Sequence, residues 1–162
     1  MKQLSLLDVQ ENSPREITWQ LAIDGASRGN PGLAGVGIYI LREGVEYLKQ
    51  GYFIGTRTNN QAEYEALLLG MCIMRSVVHA KDKITIMSDS ELLVRQMHGR
   101  YEVKNEILRQ MHQRIKELSY GLHIVIKHVV RAENAVADAL ANEGIDKRIA
   151  IPEDLRMQCA LS

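Results

Sequence analysis

The sequence has no excess of either charge. Its 162 residues carry 20 Lys plus Arg against 20 Asp plus Glu, a formal net charge of zero. A strongly basic face would point to nucleic acid by itself, so any such partner has to be argued from local residues. The balance also implies modest non-specific affinity for polyanions, falling with salt. Cysteine is scarce, with only Cys72 and Cys159. Neither sits in a CxxC pair, which leaves zinc and dithiol-redox motifs unsupported. Cys72 lies in an apolar run and reads as a small buried hydrophobe. So few cysteines fit a reducing compartment, and the expected location is cytoplasmic. No apolar run reaches membrane-spanning length, and the N-terminus MKQLSLLDVQENSPRE turns polar too early for a signal peptide. The phosphate-binding patterns GxGxxG and GxxxxGK[ST] are missing, and no serine sits in a GxSxG setting.

What is present is ordinary for one globular domain: 46% apolar and 25% charged residues. Asn12, Ser13 and Pro14 mark a boundary. Residues 1–16 therefore read as an extension, 17–148 as the domain, and 149–162 as a tail, either a short helix or disordered. Ile17, Trp19, Leu21 and Ile23 alternate with Thr18, Gln20, Ala22 and Asp24, the period of a strand. Gly25 to Gly35, rich in Gly, Asn and Pro, reads as a turn. Val36–Leu41 and Tyr47–Ile54 follow as strands and complete an antiparallel meander. A helix from about Asn60 to about Val78 is apolar nearly all round, which places it centrally. Lys83–Ser88 (KITIMS) is a short strand. Ser90–Met97 and Lys104–Leu118 read as helices parted by Gly99. Leu122–His128 is a strand, and Glu133–Gly144 a helix with Gly144 as its C-cap. The order β-β-β-α-β-α-α-β-α is a mixed α/β domain with helices for both sheet faces.

Four acids sit where carboxylates are uncomfortable. Asp24 ends an apolar strand, Glu63 opens an apolar helix, Asp89 follows KITIMS, and Asp138 lies among Ala135, Val136, Ala137, Ala139, Leu140 and Ala141. Singly, each has a bland explanation. Asp24 can open an Asp-Gly turn, Asp89 can cap a helix, and Glu63 suits a helix dipole. Jointly, four separate elements each present an acid at a strand end or helix start. Near-buried carboxylates repel one another unless compensated, and divalent cations are the natural compensation. All-oxygen donors suit Mg²⁺ or Mn²⁺ rather than zinc. Two such ions about 3.5–4 Å apart can run phosphodiester cleavage.

Four ordered segments resemble the motifs of type 1 ribonuclease H: DGASRGNPGLAGVGI at Asp24–Ile38, TNNQAEYEAL at Thr58–Leu67, SDSELLVRQM at Ser88–Met97 and HVVRAENAVADALAN at His128–Asn142. The likeness spans about residues 19–145. It implies a ribonuclease H-like α/β fold, a five-stranded mixed sheet of three antiparallel then two parallel strands flanked by helices. It implies that Asp24, Glu63, Asp89 and Asp138 are catalytic and bind two Mg²⁺, with Mn²⁺ as substitute. The partner implied is an RNA·DNA hybrid, whose RNA strand would be cut to leave 5′-phosphate and 3′-hydroxyl ends. The turn after the first acid, Gly25, Ala26, Ser27, Arg28, Gly29 and Asn30, would sense 2′-hydroxyls partly through its backbone. Asn30, Asn59 and Asn60 match amides that touch the hybrid, although turn or N-cap duty explains them equally. Thr58 and Asn105 match contacts to the DNA strand, with Lys104 beside them. His128 and Arg131 match the two positions at which family members place a proton carrier. Arg131 is favoured, because His128 finishes the strand IVIKHV.

The chain also departs from the family. Glu91 replaces a glutamine that contacts RNA, and an extra carboxylate there should weaken binding or alter metal occupancy. The short segment between Asp89 and Lys104 lacks the basic, Trp-containing handle of many bacterial members. After Met97 it keeps only His98, Arg100 and Lys104, which implies weaker binding. Two rivals stand beside the main reading: a silent hybrid-binding module, and a related nuclease acting on double-stranded RNA or DNA. No membrane partner is expected. A monomer is the simplest assembly, with a dimer through the extension or tail as the alternative.

Overall fold

The computed structural model describes residues 15–159. Most of the extension, residues 1–14, lies outside the described residues, as do residues 160–162. The elements are β1 (Thr18–Gly29), β2 (Gly32–Arg42), β3 (Val45–Arg57), α1 (Asn59–Val77), β4 (Lys83–Ser88), α2 (Glu91–Met97), α3 (Glu106–Ser119), β5 (His123–His128), a 3₁₀ turn (Arg131–Asn134), α4 (Ala135–Asp146) and α5 (Glu153–Gln158). One five-stranded sheet runs β3-β2-β1-β4-β5. The β1/β2 and β2/β3 pairs are antiparallel; β1/β4 and β4/β5 are parallel. This is the mixed sheet that the resemblance implied.

The meander is longer than the sequence pattern indicated. Gly25 to Gly35 is not an open turn; β1 continues to Gly29 and β2 begins at Gly32, leaving Asn30–Pro31 as the connection. The glycines serve close packing instead. A Cβ on Gly25 would lie 2.2 Å from the Ala62 carbonyl carbon of α1. Cβ atoms on Gly35, Gly37 and Gly51 would lie 2.4 Å from Ala141 O, 2.0 Å from Ala137 O and 2.0 Å from Leu140 O, all on α4. Gly144 is likewise no C-cap. It sits inside α4 against the Tyr52 backbone, and Lys147 caps the helix.

Helix α1 is buried on nearly every side, from Ala62 to Met74. It lies on the Trp19, Leu21 and Ile23 face of β1; Gly70 meets the Leu21 and Ile23 side chains. Full burial of one such Leu or Ile contributes about 1.5–3 kcal/mol, so α1 and β1 are fixed relative to each other. Thr58 begins the helix with a capping box. Its Oγ accepts from Gln61 N at 3.2 Å, and Gln61 Oε1 accepts from Thr58 N at 2.9 Å. Asn60 therefore does not cap.

The tail packs back. Ile149 O accepts from Phe53 N at 2.7 Å, and α5 follows. Cys72 is buried as read from the sequence, but it is bonded to Cys159, 87 residues away. That corrects its reading as a lone apolar residue. Among the described residues, no helix is long and apolar enough to cross a membrane.

Candidate active site

Strands β1 and β4 pair in parallel only as far as Ala22 and Met87. Asp24 and Asp89 each stand two residues further on, where the strands part. Helix α1 brings Glu63 to this opening from one sheet face, and α4 brings Asp138 from the other. The result is a cleft of about 470 Å³ lined by Asp24, Glu63, Asp89, Asp138, Arg131 and Asn59, with Gly25 to Arg28 and Asn142 completing its wall.

The electrostatics follow from that convergence. Asp24 is buried and its pKa is pushed up to about 8. Burial is the largest cause, followed by the charges of Asp89 and Asp138, a hydrogen bond shared with Asp138, and the charge of Glu63. Glu63 is pushed up to about 7, first by burial; a hydrogen bond with Ser90 opposes this and Asp89 adds to it. Both groups hold a proton over part of the neutral range. Among the described residues, no three His, Cys, Asp or Glu side chains form a ready-made metal cage. The four acids interact through their shared field, in which Asp24 feels the charges of Asp89, Asp138 and Glu63. The donor set is nonetheless all oxygen and its charge is uncompensated, which suits hard divalent cations.

The remaining candidates divide into those at the cleft and those beside it. Arg131 is exposed, with Nη2 3.8 Å from Asp138 Oδ1. The His128 ring ends β5, and its Nε2 lies 3.2 Å from the Asp89 carbonyl oxygen. Asn30 Oδ1 accepts from Asn59 N at 3.0 Å, tying the β1–β2 connection to the start of α1. Ser27 Oγ sits among carbonyl oxygens and is 2.8 Å from Arg57 O, so it locks the hairpin to β3. Asn105 is the N-cap of α3, its Oδ1 accepting from Leu108 N at 3.1 Å, and Lys104 beside it is exposed. Asn60 is exposed on the first turn of α1, outside the cleft lining. Glu91 pairs with Arg95 at 2.5 Å and does not join the acidic group.

Two residues make contacts that the sequence did not indicate. Arg28, on the cleft wall, bonds Asp146 at 2.7 Å. Asn134 is buried beneath the site and donates to Ile23 O. The sequence names Arg28 only within the turn expected to sense 2′-hydroxyls, and Asn134 only at the start of the Glu133–Gly144 helix.

Comparison with known proteins agrees with this geometry. The family model described as Reverse transcriptase-like matches residues 22–144. Ribonuclease HI of Halobacterium salinarum is 39% identical over 152 residues, covering 86% of this chain and 75% of that protein. Ribonuclease H of Coxiella burnetii is 31% identical over 142 residues, covering 78% and 89%. The crystal structure of the Halobacterium salinarum enzyme superposes with a TM-score of 0.75, covering 80% of this chain and 98% of that one. LC11-RNase H1 in complex with an RNA/DNA hybrid is 38% identical with a TM-score of 0.74, covering 80% and 97%. A continuous match across the sheet, α1 and α4, with the four acids gathered where the strands part, places the chain in the type 1 ribonuclease H family of enzymes.

Proposed function

We propose that the protein is an endonuclease that hydrolyses the RNA strand of RNA·DNA hybrids and leaves 5′-phosphate and 3′-hydroxyl ends. The observation that carries this reading is the acidic cleft: four carboxylates from β1, α1, the end of β4 and α4, two of them driven to hold protons. Such a group is costly unless cations offset it. Asp24, Glu63, Asp89 and Asp138 would hold two Mg²⁺, with Mn²⁺ as substitute. When bound, these ions supply charge neutralisation at the phosphate and acidify water. Asp24 and Glu63 shed their protons on loading, so affinity rises with pH.

The other residues act on the substrate. The backbone from Gly25 to Arg28 lines the cleft, and with the Gly29–Asn30 segment that follows it offers groups for 2′-hydroxyl recognition. Asn59 lines the cleft, and with Asn30 and Asn60 it would supply amides to the hybrid, while Thr58 and Asn105, with Lys104 beside it, would contact the DNA strand. A guanidinium keeps its proton, so Arg131 would steady the leaving 3′ oxygen by charge and hydrogen bonding. The His128 imidazole can carry a proton, but it must first leave the Asp89 carbonyl.

The test is cleavage of a labelled hybrid with Mg²⁺, beside single-stranded RNA, RNA duplex and DNA duplex, for wild type and Asp24→Asn. Selective cutting of the hybrid by wild type alone supports the reading. Products whose 3′ ends a polymerase can extend support the assigned end chemistry. Cutting of the other duplexes transfers the assignment to the related nuclease, and tight binding without cutting to the silent module.

A further inference from the structure

Asn134 closes the 3₁₀ turn and precedes α4 at the N-cap position, where an asparagine oxygen ordinarily accepts from a first-turn amide. It does not do so here. Its side chain is 2% exposed and points the other way. Nδ2 donates to Ile23 O at 2.9 Å, across 111 residues of sequence, while Oδ1 is buried with no partner. Exchanging the two amide atoms would set Oδ1 against a carbonyl oxygen, so the orientation is fixed by chemistry.

The two ends of this bond matter. The Ile23 carbonyl immediately precedes Asp24, and Asp138 stands one helical turn after Asn134 on α4. A single buried amide therefore joins the backbone beneath one carboxylate to the helix carrying another. The two acids repel when both are charged, and beyond their own shared hydrogen bond the side-chain links from β1 to α4 run from Arg28 to Asn142 and Asp146 and are exposed on the rim. Exposed pairs of that kind hold geometry weakly. The forgone cap and the stranded Oδ1 are local costs next to a charged cleft, a pattern expected where function overrides helix stability.

We propose that Asn134 is a positioning residue. It sets the spacing of Asp24 and Asp138 against their repulsion and so tunes the affinity of the acidic cleft for divalent cations. This rests on the nuclease reading only for its consequence in cleavage; the binding consequence stands alone.

The experiment compares wild type, Asn134→Ala and Asn134→Ser. Serine is a good N-cap and keeps the helix start, but it is too short to span to Ile23. Mn²⁺ binding is titrated calorimetrically without substrate, alongside Tm, kcat and KM for a hybrid. Both variants should bind Mn²⁺ roughly tenfold or more weakly, the range found when partners behind metal ligands are removed. The serine variant should do so with Tm within a few degrees of wild type. The kcat at limiting metal should fall while KM for hybrid stays within about twofold. Saturating metal should restore part of kcat, an effect that a merely structural role would not give. Unchanged Mn²⁺ affinity in a folded serine variant overturns the proposal, as does a wild type that binds no Mn²⁺. A wild type that binds Mn²⁺ but cuts nothing sinks the nuclease reading, and the binding comparison still decides the role of Asn134.

Discussion

Asp24 and Asp82 are both buried aspartates, at opposite ends of the paired strands β1 and β4. Asp82 is surrounded by donors: Ile17 N at 3.1 Å, the Trp19 indole at 3.0 Å and His79 N at 3.0 Å. Burial pushes its pKa up, yet those donors and the nearby His79 charge outweigh burial and hold it below the ordinary carboxylate value. Asp24 faces three other acids, and its pKa rises to about 8. Burial alone thus does not mark a functional acid. The sign of the surrounding groups does: Asp82 is stabilised where it stands, whereas Asp24 is held in an unfavourable place that a cation would relieve.

The sharpest separation of the two should come from substitution at each end. Asp24→Asn should reduce hybrid cleavage by roughly a thousandfold or more, the scale of several kcal/mol of lost transition-state stabilisation. Its Tm without metal should not fall, because a repelled charge is removed. A metal-free Tm well below wild type would break the contrast. Arg131 is the next probe of the acidic end. Arg131→Ala should lower kcat roughly a hundredfold, and His128→Ala less than about threefold, in single-turnover assays. The opposite ranking would make the imidazole the working group.

At the satisfied end, Asp82→Ala orphans three donors and should cost about 3 kcal/mol, or roughly 10 °C in Tm for a chain of this size. Cleavage per folded molecule at 25 °C should be unchanged; loss of activity without loss of Tm would contradict the division. The smallest effect is that of pH on metal-free stability. Asp24 and Glu63 have folded pKa values of about 8 and about 7, above their unfolded values. Their favourable contribution is complete below about pH 4 and is lost as pH rises through 7 and 8. Tm should therefore fall by a few degrees between pH 6 and 9, and Asp24→Asn should flatten that fall. Asp82, with its lowered pKa, acts in the reverse sense, losing its contribution as pH drops into the acid range. A Tm profile identical in wild type and Asp24→Asn above pH 6 would remove the pH side of the comparison.

The sequence carried much of this architecture because its signals are local. KITIMS has a strand's composition and is a strand over the same six residues. The apolar run after Thr58 is the central helix, and each acid lies beside an apolar element that has to pack. What stayed hidden depends on residues distant in sequence. The glycines of β1 and β2 looked like turn residues, since nothing nearby reveals that helix backbones press on them. Cys72 and Cys159 meet only once α5 packs on α1. Asn134 has a polar neighbourhood in sequence and a buried one in space, so its bond to Ile23 had no linear signature.

Gly35, Gly37 and Gly51 each receive a backbone carbonyl of α4, at Ala141, Ala137 and Leu140. Three fixed points on two strands define a seat in the way a kinematic mount locates an instrument: the helix can neither slide nor roll. Sliding it by one residue would shift Asp138 about 1.5 Å along the axis and swing it roughly 100° around it. Three missing side chains thus act as a gauge block, and the tolerance of the acidic cleft is set by how closely main chain can rest on main chain.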